Sequence, residues 1–216
     1  MSELIGLGLG FAYIGIILAI SVSMTKLPYE MSRTFSHIMV ANWWIIASLT
    51  MSSYWVVMVT PIFFIVFNTL NAIFNWIPAI NSNSRQRNIG TVYYAISVLF
   101  LTHLYFFDPM LRIAGGLGIL VMGYGDGFAS VIGQFFGKHT FSIFKGKKSI
   151  EGSLAMLIVS MIVVYAYLSY TTPVVSWSMV IVIPVLATLI EAISPYGLDN
   201  LFVPLISALI YFVYIF

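Results

Sequence analysis

The chain has 216 residues, of which 61% are hydrophobic and 7% charged, and its formal net charge is +2. Soluble domains contain roughly 45–50% apolar and about 25% charged residues, so a soluble globular fold is excluded and the surrounding solvent is lipid. The small net charge argues against nucleic-acid binding. The absence of Cys excludes disulfides and thiolate metal sites.

The apolar segments predict an all-α fold, a polytopic transmembrane helix bundle that forms a single domain over residues 1–216. A spanning helix needs about 20 apolar residues, which gives about eight spans. Seven are possible, because no clear polar gap divides the pair over 37–77. The predicted spans are 4–24, 37–53, 54–77, 89–107, 110–135, 153–172, 174–193 and 200–216.

The distribution of basic residues predicts the orientation. The first span begins with "MSELIGLGLG", which has no basic n-region and therefore indicates an uncleaved helix rather than a signal peptide. With eight spans, eight of the nine Lys and Arg residues fall on one side, and only Arg112 falls on the other. The positive-inside rule makes the basic side cytoplasmic and places both termini outside. We expect the cell membrane of a prokaryote or the endoplasmic reticulum of a eukaryote.

The second predicted span is preceded by "YEMSRTFSHI", which carries three functional candidates. Glu30, Arg33 and His37 recur at helical spacing and therefore share one helix face. Two interpretations stay open, an interfacial helix with a local salt bridge or the lining of a ligand site.

The stretch "VMGYGDG" has three interpretations. A potassium-channel filter would need the threonine hydroxyl that is lost here, because Val121 and Met122 take the first two positions. An aspartyl protease needs two carboxylates that share one proton. The nearest preceding candidate, Asp108, is predicted on the opposite side, which leaves Asp199 as the partner for that reading. A nucleotide site is favoured.

Small residues follow Asp126 at helical spacing. Asp126, Ala129, Gly133 and Gly137 lie within about 80° on one helix face. Close helix packing alone explains such a stripe. An ionisable residue at membrane depth, however, is a functional candidate by default, and this favours a ligand site.

A basic loop comes next, and it precedes another helix. Lys147 and Lys148 are followed by Ser149, which is predicted to cap the helix that begins near Gly152. Lysines beside a helix N-terminus favour phosphate binding. Glu151 beside them is unfavourable unless a cation bridges it to that phosphate.

Five of the seven acidic residues are predicted at the basic face. Acidic residues contribute little to topology, so their clustering indicates another cause, and a metal–phosphate site is one. Two of them flank a predicted Ser-Pro-Tyr-Gly turn, where Asp199 is either a helix cap or a metal ligand. The five are Glu30, Asp126, Glu151, Glu191 and Asp199.

The central pattern resembles the CTP-binding motif shared by dolichol kinases, phytol kinases and CTP-dependent diacylglycerol kinases. Ser149 stands where that family usually has Thr, and Thr34 where it has Lys. The matching residues are Asp126, Ala129, Gly133, Gly137, Lys147, Lys148, Ser149, Glu151 and Gly152, with flanking matches at Glu30, Arg33, His37, Glu191, Asp199, Asn200 and Pro204.

The resemblance implies a kinase that transfers the γ-phosphate of CTP, with Mg²⁺, to a membrane lipid alcohol at the cytoplasmic face. The alcohol would be an isoprenoid (polyprenol, dolichol or phytol) or diacylglycerol. No base-reading residue distinguishes CTP from ATP. Two other classes stay open, a phosphatidate cytidylyltransferase-like enzyme and a lipid or ion transporter.

The predicted roles follow from the same pattern. Asp126 and Glu151 are the catalytic candidates, and Asp126, Glu151, Asp199 and Glu191 are the metal candidates. Glu30 and Asn200 are further site candidates. The nucleotide-binding candidates are Ala129, Gly133, Gly137, Lys147, Lys148, Ser149, Gly152, Arg33 and His37.

Asp126 also predicts an irregular helix. In an unbroken helix that ends at residue 136, Asp126 would lie about 16 Å from the end. That is deep for a soluble nucleotide. We therefore expect a break near residues 123–127, where the backbone lines a cavity.

Overall fold

The computed structural model describes residues 3–24, 29–78, 85–105, 108–143 and 146–215. Within these ranges the chain forms ten α-helices, one π-helical segment and one two-stranded sheet. In chain order they are α1 (Glu3–Ser23), α2 (Tyr29–Ala41), α3 (Trp43–Thr50), α4 (Tyr54–Phe74), α5 (Arg85–Tyr105), α6 (Pro109–Leu120), the π segment (Val121–Asp126), α7 (Gly127–Phe136), β1 (Thr140–Ile143), β2 (Gly146–Ser149), α8 (Ile150–Thr171), α9 (Trp177–Ile193) and α10 (Asp199–Ile215).

These helices combine into eight rods, so the all-α polytopic prediction is confirmed. Only Asn42 separates α2 from α3, and α6, the π segment and α7 run continuously over Pro109–Phe136. The second rod begins at Tyr29 rather than at the predicted residue 37. Within the described ranges, four stretches have the length and composition to cross a membrane, namely Glu3–Ser23, Tyr54–Phe74, Pro109–Phe136 and Ile150–Thr171.

The outside of the bundle is apolar, as a lipid-facing surface requires. Large aromatic side chains project near the ends of helices, where amphipathic rings favour the membrane–water interface. Trp55 (78% exposed) lies at the start of α4 and Trp76 (57%) just beyond its end. Tyr170 (80%) and Trp177 (65%) lie at the end of α8 and the start of α9.

The π segment lies in the core of the bundle. Its glycines allow two neighbouring helices to approach, because a Cβ at Gly123 would lie 2.3 Å from the Cβ of Ala41 and one at Gly125 2.4 Å from Ser160 Oγ. Tyr124 Oη donates a hydrogen bond to Asn42 Oδ1 (2.8 Å) at the junction of α2 and α3.

The break expected near residues 123–127 is wrong, because the backbone is not unwound there. It stays helical, with widened π turns. Such turns keep the backbone N–H and C=O groups paired, which is essential inside a membrane. They also change the register of the helix, so that Asp126 faces a different neighbour than in a regular α-helix.

A β-hairpin replaces the flexible loop expected between the fifth and sixth spans. Strands β1 and β2 pair antiparallel, with Phe141 opposite Lys148 and Ser142 opposite Lys147. Ser149 ends β2 and accepts a hydrogen bond from the backbone N of Gly152 (3.1 Å). The predicted cap of α8 is confirmed.

The turn between α9 and α10 packs directly on α5. Tyr196 and Gly197 have positive φ angles of 52° and 82°, and a Cβ at Gly197 would lie 2.7 Å from the Cα of Gly90. Asn200 Nδ2 donates to the carbonyl oxygen of Gly90 (3.0 Å). The predicted Ser-Pro-Tyr-Gly turn is confirmed, and these contacts fix the start of α10.

Two acidic residues lie at the end of the bundle where α1 begins, which we call the Glu3 end. The Glu3 carboxylate accepts hydrogen bonds from the backbone N–H groups of Ser52 (3.1 Å) and Ser53 (3.2 Å). Asp108 caps α6 by accepting from the backbone N of Met110 (2.6 Å). Both carboxylates therefore support helix termini.

Candidate active site

Three carboxylates from distant parts of the chain meet inside the bundle. Asp126 ends the π segment, Glu191 lies near the end of α9 and Asp199 begins α10. One oxygen from each lies within 4.8 Å of the other two. Glu191 and Asp199 are only 3% and 7% exposed. Like charges at this distance and burial repel strongly, so nearby cations stabilise this acidic cluster.

Lys148 supplies one of those cations. Its Nζ donates hydrogen bonds to Glu191 Oε1 (2.5 Å) and Asp199 Oδ2 (2.9 Å). Burial alone would lower the pKa of Lys148, but the nearby carboxylates of Asp199 and Glu191 outweigh it and raise that pKa above its ordinary value. Lys148 therefore carries its positive charge, and one lysine cannot neutralise three carboxylates.

The residues of the acidic cluster fit a hard divalent cation. Carboxylate and amide oxygens are the ligands that Mg²⁺ and Ca²⁺ prefer. Glu191 Oε2 and Asn200 Oδ1 are buried and have no hydrogen-bond partner among the described residues. Buried polar atoms are normally paired, so these two oxygens are suited to hold a cation.

Helix α2 brings a second group of predicted residues to the same place. His37 Nε2 lies 3.6 Å from Asp126 Oδ2, and its ring packs on Tyr94 with centroids 4.6 Å apart. Arg33 lies one turn earlier on α2. The side chain of Glu30 lies outside the described residues.

The stripe of small residues lies where α7 packs on the hairpin and α8. A Cβ at Gly137 would lie 2.8 Å from Ser149 Oγ, and one at Gly152 would lie 2.9 Å from the carbonyl oxygen of Ala129. A Cβ at Gly133 would meet Ser149 Oγ at 3.0 Å. Close packing therefore requires these glycines, whether or not a nucleotide also approaches them.

Glu151 is not in the acidic cluster. Its carboxylate contacts the imidazole Nδ1 of His139 at 2.8 Å and accepts from the backbone N of His139 at 3.2 Å. The structure thus joins Glu151 to the start of the hairpin and leaves the other three metal candidates together. Lys147, unlike its neighbour Lys148, is exposed.

Two cavities meet at Asp126. A polar cavity of about 560 Å³ lies between α7, the hairpin and the α9–α10 turn, and its wall includes Lys148, Gly133 and Glu191. An apolar cavity of about 110 Å³ lies between α1, α2, α4 and α5. The residues that line both cavities are Arg33, Asp126, Ser130 and Asn200.

Sequence reasoning missed several residues of this junction. Ser130 lines both cavities. The sequence feature that could have indicated it is its position one residue beyond Ala129. Tyr94 stacks on His37 from α5, and nothing in the pattern of that span distinguishes it from other core aromatics. The pairing of Lys148 with Glu191 and Asp199 joins residues 43 and 51 positions apart, which spacing does not reveal.

Comparisons with known proteins give three relatives. The chain is 34% identical over 215 residues to a phytol kinase of Synechocystis sp., covering 95% of this chain and 90% of the relative. It is 32% identical over 133 residues to a probable chloroplastic phytol kinase of Triticum aestivum, and 33% identical over 104 residues to a dolichol kinase of Schizosaccharomyces pombe. The matches span 43% and 20% of these two proteins. No family profile and no solved structure matches the chain.

Proposed function

The chain belongs to the family that contains phytol kinases and dolichol kinases, and from this premise we propose that it transfers the γ-phosphate of CTP to an isoprenoid alcohol. The observation that carries the proposal is the position of Asp126. Its side chain lines a polar cavity on one side and an apolar cavity on the other. A kinase that joins a water-soluble nucleotide to a lipid needs its reacting groups at such a boundary.

The polar cavity is the proposed nucleotide site. Lys148 and Arg33 line it and would hold the phosphates, since phosphoryl transfer depends on positioning and charge neutralisation. The glycines of α7 allow close approach, and Lys147 lies at the rim. The preference for CTP rests on the resemblance of this motif to that of CTP-dependent lipid kinases.

The acidic cluster of Asp126, Glu191 and Asp199 is the proposed Mg²⁺ site. Bound there, Mg²⁺ would neutralise charge on the transferred phosphoryl group. The sequence predicts Glu151 as a further metal ligand, but its carboxylate contacts His139. Its proposed task is to hold the hairpin in place and so to position Lys148.

The reaction is a single displacement. The hydroxyl oxygen of the lipid forms a bond to the γ-phosphorus, the bond between that phosphorus and the β–γ bridging oxygen breaks, and CDP leaves with the bonding electrons. The hydroxyl proton passes to the carboxylate of Asp126, which faces both cavities. His37 lies beside that carboxylate, with its Nε2 at 3.6 Å from Asp126 Oδ2.

The cytoplasmic orientation of the site, with both termini outside, is part of the same proposal. It rests on the distribution of basic residues. In sealed proteoliposomes, CTP added on the side of the basic loops would support the reaction, and CTP confined to the other side would not.

The direct test uses purified protein, Mg²⁺, γ-labelled CTP or ATP, and a panel of lipid alcohols. We expect label in an isoprenoid phosphate, release of CDP and a higher kcat/KM with CTP than with ATP. Release of pyrophosphate with phosphatidate would indicate a cytidylyltransferase instead. Label in no lipid, with every alcohol and both nucleotides, would contradict the kinase proposal.

A further inference from the structure

The apolar cavity between α1, α2, α4 and α5 lies next to the proposed nucleotide site. Its wall includes Ile14, Val40, Phe64, Ala95 and Val98, all of them apolar. It continues from the acidic cluster through the shared residues Arg33, Asp126, Ser130 and Asn200. A cavity that leads away from a polar site into the apolar core has the shape and chemistry of a chain-binding site.

The extent of this cavity follows from the helices that line it. Along α2 and α3 its wall runs from Arg33 to Trp43, and along α4 from Thr60 to Asn68. At 1.5 Å per residue these stretches are about 12–15 Å long. The cavity is therefore elongated along the bundle, and it accepts a single extended chain more readily than two.

Polar atoms at the mouth of the cavity lack partners. Tyr94 Oη and His37 Nε2 are buried and have no hydrogen-bond partner among the described residues. Both side chains line the apolar cavity, and His37 lies beside Asp126. Unpaired buried donors and acceptors are costly where water is excluded, so this position suits one hydroxyl group.

We propose that this cavity binds the hydrocarbon chain of the alcohol, with the hydroxyl between Tyr94, His37 and Asp126 and the first isoprene units between α2, α4 and α5. This inference rests on the proposed kinase function, and it names a single-chain isoprenoid alcohol as the substrate class. The chain enters the protein instead of remaining wholly in the bilayer.

The physical purpose of the cavity is positioning. Lipid tails are as apolar as the protein interior, so moving a chain from bilayer to cavity gives little hydrophobic gain. What the cavity provides is a fixed place for the hydroxyl relative to the γ-phosphate, and such positioning contributes to rate. Shortening the chain should therefore reduce kcat/KM.

The test fills the cavity. Ala95 lines it and is 5% exposed, and Ala95→Leu adds bulk to its wall. Ala166→Leu is the matched control, since Ala166 lies on the exposed, lipid-facing side of α8. We expect Ala95→Leu to lower kcat/KM for a twenty-carbon isoprenoid alcohol by about tenfold or more. The KM for nucleotide should change by less than about twofold.

A second measurement needs no variant. Wild-type protein is irradiated with a twenty-carbon isoprenoid alcohol that carries a diazirine in its chain. We expect label on α2, α4 and α5 at residues that line the cavity, reduced by competing alcohol.

The outcomes separate this inference from the proposed function. If the wild-type protein phosphorylates the alcohol but Ala95→Leu matches Ala166→Leu in kcat/KM for that alcohol, or the label lies only on exposed residues, the chain site is wrong and the kinase remains. The single-chain assignment would also be overturned if the wild-type protein phosphorylated diacylglycerol as fast as the isoprenoid alcohol and Ala95→Leu lowered both activities equally. If no alcohol is phosphorylated, the kinase proposal fails. Diazirine label on the residues that line the cavity would then still show that the cavity binds the chain.

Discussion

The carboxylates at the two ends of the bundle have different partners. At the Glu3 end, the carboxylates of Glu3 and Asp108 accept hydrogen bonds from backbone N–H groups. The neighbouring Arg112 donates to the carbonyl oxygen of Ser48 and lies over the ring of Tyr105 at 4.6 Å. At the other end, which we call the Asp126 end, three carboxylates face one another, and two of them, Glu191 and Asp199, share Lys148.

The difference shows how charge is used inside a lipid-facing protein. Charges at the Glu3 end complete helix termini, so their effect is on stability. At the Asp126 end, like charges are held together and buried oxygens are left unpaired, which costs stability unless a ligand arrives. Such an arrangement is typical of a binding site. Substitutions at the Asp126 end should therefore affect activity, and substitutions at the Glu3 end should affect stability.

The largest effect is expected for Asp126→Asn. Loss of the proposed base and metal ligand should lower kcat by about 10³-fold, while thermal stability stays equal or rises because one repelling charge is gone. Asp108→Asn is the control at the Glu3 end, and it should change kcat by less than about twofold because Asn still caps α6. Steady-state phosphorylation of the lipid alcohol measures both. Equal losses in the two variants would remove the contrast.

The next effect concerns Lys148. Lys148→Met should lower kcat/KM by about 10²-fold. It should also lower the free energy of unfolding by about 1–3 kcal/mol, less than for a fully buried pair because the Lys148 side chain is 22% exposed. Lys147→Met, on the same strand but exposed, should change kcat/KM by less than about fivefold. A larger loss at Lys147 than at Lys148 would show that the phosphates lie at the rim of the hairpin.

A metal titration distinguishes the carboxylates. Mg²⁺ at ten times its Kd should stabilise the wild-type protein by about 1.4 kcal/mol, measured as a rise in melting temperature. Glu191→Gln should abolish that rise, and Glu151→Gln should preserve it. The opposite result would restore Glu151 as a metal ligand and remove Glu191 from the site.

The smallest functional effect is expected at the Glu3 end. Glu3→Gln weakens the hydrogen bonds to Ser52 and Ser53, so the melting temperature should fall by a few degrees. Lipid phosphorylation should stay within about twofold of the wild-type rate. A strong loss of activity with unchanged melting temperature would mean that this end also takes part in catalysis.

The fold could be predicted because membranes constrain helices strongly. Length and apolar composition alone give eight rods, and the basic loops suggested that the acids share one end. The meeting of Asp126, Glu191 and Asp199 fits that expectation. The predicted apolar span began only at residue 37, because "YEMSRTFSHI" is amphipathic rather than uniformly apolar, although the spacing of Glu30, Arg33 and His37 already indicated a helix there.

The details of the site could not be predicted, because helical periodicity gives the face of a residue but not its neighbour. Glu151 lies in the same motif as Lys148, yet it contacts His139 while Lys148 reaches α9 and α10. Lys147 and Lys148 are neighbours in the sequence, but their side chains point to opposite faces of β2. A loop prediction gives no reason to distinguish them. The π turns likewise depend on packing of Gly123 and Gly125 against α2 and α8.

Gly90 has no reactive side chain, but its contact with the α9–α10 turn lets it influence the position of the proposed metal ligands. A Cβ at position 90 would lie 2.8 Å from Asn200 Nδ2 and 3.3 Å from the Cα of Gly197. Even a methyl group there would displace the side chain of Asn200 and crowd the turn at Gly197. We therefore expect a substitution at position 90 to lower activity while every proposed catalytic side chain stays intact.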